Sequence, residues 1–129
     1  MFIIKRFISF EGNTGPYLLY TYARARSILR KLKSKTKKLS INEITEKEKN
    51  LISKLSNFPE VVESAYKNLS PNLIANYAFE LSKIFNEFYH TEKVIGSEKE
   101  SFRLTLVKVT SQVLRNALFL LAIPVIEKM

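Results

Sequence analysis

The last quarter of the chain limits the fold most. Read as a helix over about 98–122, it places Phe102, Leu106, Val109, Val113, Ala117 and Leu120 on one seam, and Val107, Leu114, Leu118 and Leu121 on a second. A helix that is apolar on most faces has no stable place on a surface, so other helices must surround it. Its many β-branched residues would also suit a strand. Ser97-Glu98-Lys99-Glu100 and the long heptad-like spacing decide for the helix, since a hydroxyl and a glutamate three residues apart can satisfy free N–H groups at a helix start. At 129 residues with 46% hydrophobic content, the chain is one domain with enough apolar surface for a core. The expectation is an all-α bundle with this last helix in its middle and almost no sheet.

The partners of that helix are legible from local signals. Residues 1–9 alternate loosely and read as a short strand or the end of an upstream element. Gly15-Pro16 reads as an N-cap followed by the first helical residue, where proline's missing N–H costs nothing. A helix from Pro16 to about Lys37 then carries one apolar stripe of Leu18, Tyr22, Ala25, Leu29 and Leu32. Its distal run Lys33 to Lys38 has no stripe and should fray into a solvated linker. Thr45-Glu46-Lys47-Glu48 is a second capping box, and the helix after it should run to about Ser56 with Leu51, Ile52 and Leu55 inward. Asn57-Phe58-Pro59 ends it and begins a third helix, with Val61, Val62, Ala65 and Tyr66 inward. Ser70-Pro71 begins a fourth, with the stripe Ile74, Ala78, Leu81, Phe85 and Phe88, and a loop from Tyr89 to Gly96 follows. The architecture is a bundle of about five helices.

Several chemistries are excluded or unsupported. The chain has no cysteine, so thiolate metal sites, disulfides and cysteine nucleophiles are impossible. That composition fits a reducing cytoplasm, the expected location. Its single histidine, His90, lacks the partners of a metal site or triad and reads as a surface or helix-end residue. Gly12 and Gly15 lack the continuation of a phosphate loop. No catalytic residue, metal or cofactor is therefore expected. Phe2-Ile3-Ile4 is broken at once by Lys5 and Arg6, too short for a signal core. The run from Ala117 to Ile123 falls far short of the ~20 residues of a membrane span, so no membrane partner is expected.

The formal net charge of +9 points to an anionic partner. On the first helix, Tyr17, Tyr20, Arg24, Ser27 and Lys31 share a face that begins aromatic and becomes cationic. RNA loops offer phosphates and unstacked bases, which proteins hold with cations and aromatic rings, each stacked base being worth ~1–3 kcal/mol. The other reading is that these tyrosines pack between helices and the cations are merely solvated. Tyr22, inside the apolar stripe, takes that second reading.

The stretch Phe10-Glu11-Gly12-Asn13-Thr14-Gly15-Pro16-Tyr17-Leu18-Leu19-Tyr20-Thr21-Tyr22-Ala23-Arg24-Ala25-Arg26-Ser27-Ile28-Leu29-Arg30-Lys31 closely resembles a segment of arginyl-tRNA synthetases. That segment leads into their C-terminal anticodon-binding domain, the all-helical type called DALR. Ser70-Pro71-Asn72 with Tyr77 to Leu81, Phe85 to His90 with Val94-Ile95, Arg103 to Val107, Gln112 to Asn116 and Glu127-Lys128-Met129 resemble later segments in the same order. The resemblance implies one anticodon-binding domain over 1–129, with 9–38 the basic helix entering it and 39–129 the rest of the bundle. It implies that Tyr17 and Arg24 face the anticodon loop, joined by Tyr89 and the C-terminal Met129. With Tyr20 and Lys31 from the shared helical face, these are the candidate tRNA-binding residues. Arg103 is expected to pair with a carboxylate or cap a neighbouring helix, and Asn72 and Asn76 to cap or bridge helices.

The family's ATP-binding His-x-Gly-His signature is absent, and Lys33-Ser34-Lys35 reads as solvated charge. The chain thus resembles a non-catalytic fragment or split subunit of an arginine–tRNA ligase. Arginine tRNA is the expected partner, and a synthetase catalytic domain, in cis or trans, a further one. The alternative is a free-standing helical tRNA-binding or protein-interaction domain without anticodon discrimination. A DNA-binding helix-turn-helix fits worse, because no short helix and tight turn precede the basic helix. Leu19, Lys93, Ser101-Phe102 and Ala122 depart from the residues usual in the family.

Overall fold

A computed structural model describes residues 14–31 and 43–125. The expectations for residues 1–9, the run Lys33 to Lys38 and Met129 lie outside them. Five α-helices account for most of the described residues, and no strand occurs among them. They are α1 (Thr14–Lys31), α2 (Glu46–Ser56), α3 (Phe58–Lys67), α4 (Asn72–Thr91) and α5 (Glu100–Leu120).

The middle of the bundle is α4, not α5. It packs against each of the other four helices, and its stripe Ile74, Ala78, Leu81, Phe85 and Phe88 is buried along its length. On α5, Leu106, Val107, Leu114, Ala117 and Leu118 are buried, but Val109, Phe119 and Leu120 are exposed, Phe119 to 79%. Apolar residues around a helix permit a central position without imposing it. The helix with the most neighbours is the one whose stripe is continuous from end to end.

Local signals account for most boundaries. Proline's absent N–H is harmless anywhere in a first turn, so α1 can begin at Thr14 with Gly15 and Pro16 inside it, two residues before the expected Pro16. The capping box of α2 forms as expected: Thr45 Oγ1 accepts from the Glu48 N–H at 3.2 Å, and Glu48 Oε1 accepts from the Thr45 N–H at 2.8 Å. The box expected at Ser97 does not form. Ser97 Oγ donates to the Val94 carbonyl instead, Glu100 Oε1 accepts from the Gly96 N–H, and α5 starts at Glu100 with no side-chain cap. Ile52 and Tyr66, expected inward, are exposed, Tyr66 to 80%. Each sits at the edge of a stripe whose centre is filled by Leu51 and Leu55 or by Ala65.

The turn from α3 to α4 is made without glycine. Leu69 takes φ 49° and is largely exposed, while the Ser70 N–H donates back to the Ala65 carbonyl at 2.9 Å. Residues from all five helices share one apolar core. No described helix is long and apolar enough to cross a membrane.

One ionic cluster pins α5 to its neighbours. Glu48, fully buried on α2, accepts from Lys99 Nζ at 2.7 Å and from Arg103 Nε at 2.8 Å. Arg103 also donates to Glu92 Oε2 at 3.1 Å and to the Lys93 carbonyl at 2.6 Å. The structural role expected of Arg103 is thus visible. Burial alone would raise the Glu48 carboxyl. The hydrogen bonds from Lys99, Arg103 and the Thr45 N–H, with the Arg103 charge, outweigh it and hold that carboxyl at about 2.

Candidate nucleic-acid interface

Helices α1 and α4 run side by side in the same direction: Tyr17 meets Phe79, Thr21 meets Asn86, and Arg24 meets Asn86 and Tyr89. Leu18, Thr21, Ala25 and Ile28 form the seam of α1 against the core, and all four are buried. Arg24 sits beside that seam, half-buried, where its stem is packed and its head reaches the surface.

The Arg24 guanidinium is held from several sides. Its Nη1 donates to Asn86 Oδ1 at 2.8 Å, and its Nη2 donates to the Tyr20 hydroxyl at 2.7 Å. Its Cζ lies 4.9 Å from the Tyr20 ring centre and 5.0 Å from the Tyr89 ring centre. Cations over aromatic faces are favoured at such distances. Tyr89 is itself stacked on Phe85, at 6.4 Å and 20°. None of these partners is charged, and among the described residues Arg24 has no carboxylate partner.

Behind Arg24 lies a small polar network. Asn86, buried on α4, donates through Nδ2 to the Tyr17 hydroxyl at 3.0 Å and to Thr21 Oγ1 at 3.1 Å. Thr21 Oγ1 in turn donates to the Tyr17 carbonyl at 2.9 Å. Only one orientation of the amide serves all three contacts. The Tyr17 ring is half-buried, 5.5 Å from Phe79.

In front of Arg24 lies an open groove of about 570 Å³, bounded by Tyr20, Arg24, Ser27, Arg30, Lys31 and Tyr89. Four of the residues singled out by sequence, Tyr20, Arg24, Lys31 and Tyr89, therefore meet around one groove. Tyr17 stands behind it, tied to Asn86. Tyr89 belongs to the last turns of α4 and not to a loop, because α4 continues to Thr91. Met129 lies outside the described residues. His90 is exposed beside Tyr89. No group of three or more metal-ligating side chains occurs among the described residues.

Sequence reasoning missed Asn86 and Thr21. A signal existed: each is a polar residue on the buried arc of its helix, Thr21 between Leu18 and Ala25, and Asn86 beside Phe85. Polar groups on such an arc need partners, and these two found each other.

The family described as the DALR anticodon binding domain matches residues 18–129. An arginine–tRNA ligase of Pyrococcus furiosus is 46% identical over 133 residues, covering 95% of this chain and 21% of that protein. One from Alkaliphilus oremlandii is 43% identical over 136 residues, covering 100% of this chain and 23% of that protein. Among solved structures, Thermus thermophilus arginyl-tRNA synthetase aligns with a TM-score of 0.84 at 34% identity, over 94% of this chain and 22% of that one. The Plasmodium falciparum arginyl-tRNA synthetase aligns with a TM-score of 0.80 at 33% identity, over 94% of this chain and 22% of that one. The chain thus spans little more than a fifth of the length of the curated relatives it matches.

Proposed function

Since the chain belongs to the DALR anticodon-binding domain family, we propose that it is a tRNA-binding module that grips the anticodon arm of arginine tRNA during protein synthesis in the cytoplasm. One observation carries this reading: Arg24 lies beside the Tyr20 and Tyr89 rings, on the wall of an open groove, with no carboxylate among the described residues to neutralise it. A cation flanked by aromatic faces is what an RNA loop calls for, charge for phosphate and π-surface for an unstacked base. On this reading Tyr20 and Tyr89 offer stacking faces, Arg24 and Lys31 meet phosphates, and Tyr17 acts through the network behind Arg24. Met129 remains a proposed contact through the resemblance alone. The whole of 1–129 works as one anticodon-binding domain. It is a non-catalytic part that serves a synthetase catalytic domain, in cis or in trans.

A titration of the chain against an arginine tRNA transcript at several salt concentrations tests this reading. If Arg24, Arg26, Arg30 and Lys31 all meet phosphates, the ~4 contacts make the log–log slope of affinity against salt about −3. Binding that is flat in salt, or absent, overturns it.

One further observation favours a second activity, protein docking. At the opposite end of α4, Tyr66, Leu69, Pro71 and Leu120 border an apolar groove of about 380 Å³. Because α1 runs parallel to α4, its N-terminus points towards that end. The occupant this arrangement suits is the synthetase region that precedes the domain in its relatives, and the cationic groove is left free for RNA.

A further inference from the structure

We propose that Asn86 is the positioning residue of the RNA groove, and that its neutrality is what keeps Arg24 available to an anion. The inference rests on the tRNA-binding reading above and deepens it. The Tyr20 hydroxyl and the two rings hold the outer side of the Arg24 guanidinium, and its inner side needs an acceptor to fix its direction. Asn86 Oδ1 supplies that acceptor at 2.8 Å from a buried position on the central helix. An aspartate has the same shape and would accept the same hydrogen bond more strongly. It would also bring a full negative charge beside the guanidinium and cancel the field that an incoming phosphate feels. It would lose the amide donor as well, which now serves the Tyr17 hydroxyl at 3.0 Å and Thr21 Oγ1 at 3.1 Å. Thr21 Oγ1 already donates to the Tyr17 carbonyl, so it has no proton to offer a carboxylate. The amide thus does two things at once: it fixes Arg24 without neutralising it, and it joins α1 to α4 behind the groove.

A positioning residue acts through another, so its effect must vanish when that other is gone. The test uses the full chain and an arginine tRNA transcript, with Asn86→Asp, Arg24→Gln and the double variant, each checked for native helicity and melting temperature. Asn86→Asp should weaken binding roughly ten- to 150-fold, the range of a lost charge-assisted contact. Its salt slope should become shallower by ~0.7, the value of one phosphate contact to single-stranded RNA. In the Arg24→Gln background the same substitution should add less than about twofold. Asn86→Ala, which frees Arg24 without neutralising it, should weaken binding while leaving the slope intact. It carries the same cycle if the aspartate variant does not fold. A purely structural role would lower the melting temperature but leave the slope unmoved. The proposal is overturned if wild-type chain binds the transcript and Asn86→Asp binds it with the same affinity and slope, or if its effect adds in full to that of Arg24→Gln. If the wild-type chain binds no transcript, the tRNA reading itself has failed and this proposal goes with it. The two failures are told apart by the wild-type titration.

Discussion

Two arginines in this molecule are each held by several partners, and to opposite ends. Arg103 lies in the ionic cluster of α2 and α5, where two cations, Arg103 and Lys99, meet two carboxylates, Glu48 and Glu92. Its charge is matched inside the fold, and it has nothing left for a ligand. Arg24 is held by an amide, a hydroxyl and two rings, all uncharged. The number of hydrogen bonds does not tell architecture from recognition here. On the proposed reading, the charge of the partners does.

The contrast can be broken first at the ionic cluster, where the largest effect is expected. Arg103→Ala leaves Glu48 buried with Lys99 as its remaining cation and the Thr45 N–H as its remaining neutral donor. Removing one member of a buried pair costs ~3–5 kcal/mol, to be read as a fall in the urea midpoint of unfolding. A loss under ~1 kcal/mol would mean that the cluster is solvated, and the two arginines would no longer differ in kind.

Acid sharpens the same point. The Glu48 carboxyl titrates at about 2 in the folded chain against an ordinary 4.5, so the unfolded chain binds the proton first. The stabilisation it gives is present in full above about 4.5 and fades as pH falls towards 2. Melting temperatures followed over that window should decline in the wild-type chain and decline less in Glu48→Gln. Arg24→Gln should follow the wild-type curve, because no carboxylate among the described residues partners Arg24. A flattened curve for Arg24→Gln would show an unseen acidic partner at the groove.

Arg24→Gln should shift stability by only about 1 kcal/mol, the loss of a partly exposed hydrogen-bonded group. It should nevertheless cost roughly tenfold or more in affinity for the arginine tRNA transcript. The smallest effect belongs to Lys31, which is exposed on the groove rim. Lys31→Ala should leave stability unchanged and reduce the salt slope by ~0.7, weakening specific and unrelated tRNAs alike. Selective loss for arginine tRNA alone would promote Lys31 from positioning the ligand to reading it.

What could be read from the sequence was what is local. The stripe from Ile74 to Phe88 and the capping box at Thr45 depend on neighbours within a few turns, and both appear as expected. The shared face of Tyr20, Arg24 and Lys31 follows from helical periodicity, and Tyr89 joined them through resemblance. The neutral hold on Arg24 was not legible, because Asn86 lies 62 residues away. Glu48 was read as a cap and found also to be the centre of an ion cluster, with Arg103 55 residues further on. Nor could periodicity rank α4 above α5. A helical wheel shows which faces are apolar, not how many neighbours will come to cover them, and the exposed Phe119 marks the difference.

Pinning Arg24 to the central helix also has a consequence in time. A cation on a free side chain must stop moving before a contact can last, and each such immobilisation slows or weakens capture. Here the guanidinium is halted in advance by groups anchored in the core. On the proposed reading Arg24 itself need not be ordered before binding, so arrival should be governed by diffusion and by the attraction of a cationic face. Any polyanion of suitable size should therefore arrive quickly, whatever its sequence. On the proposed tRNA-binding reading, selection between RNAs is left to departure: those whose bases stack on the exposed rings stay, and the rest are released before they matter.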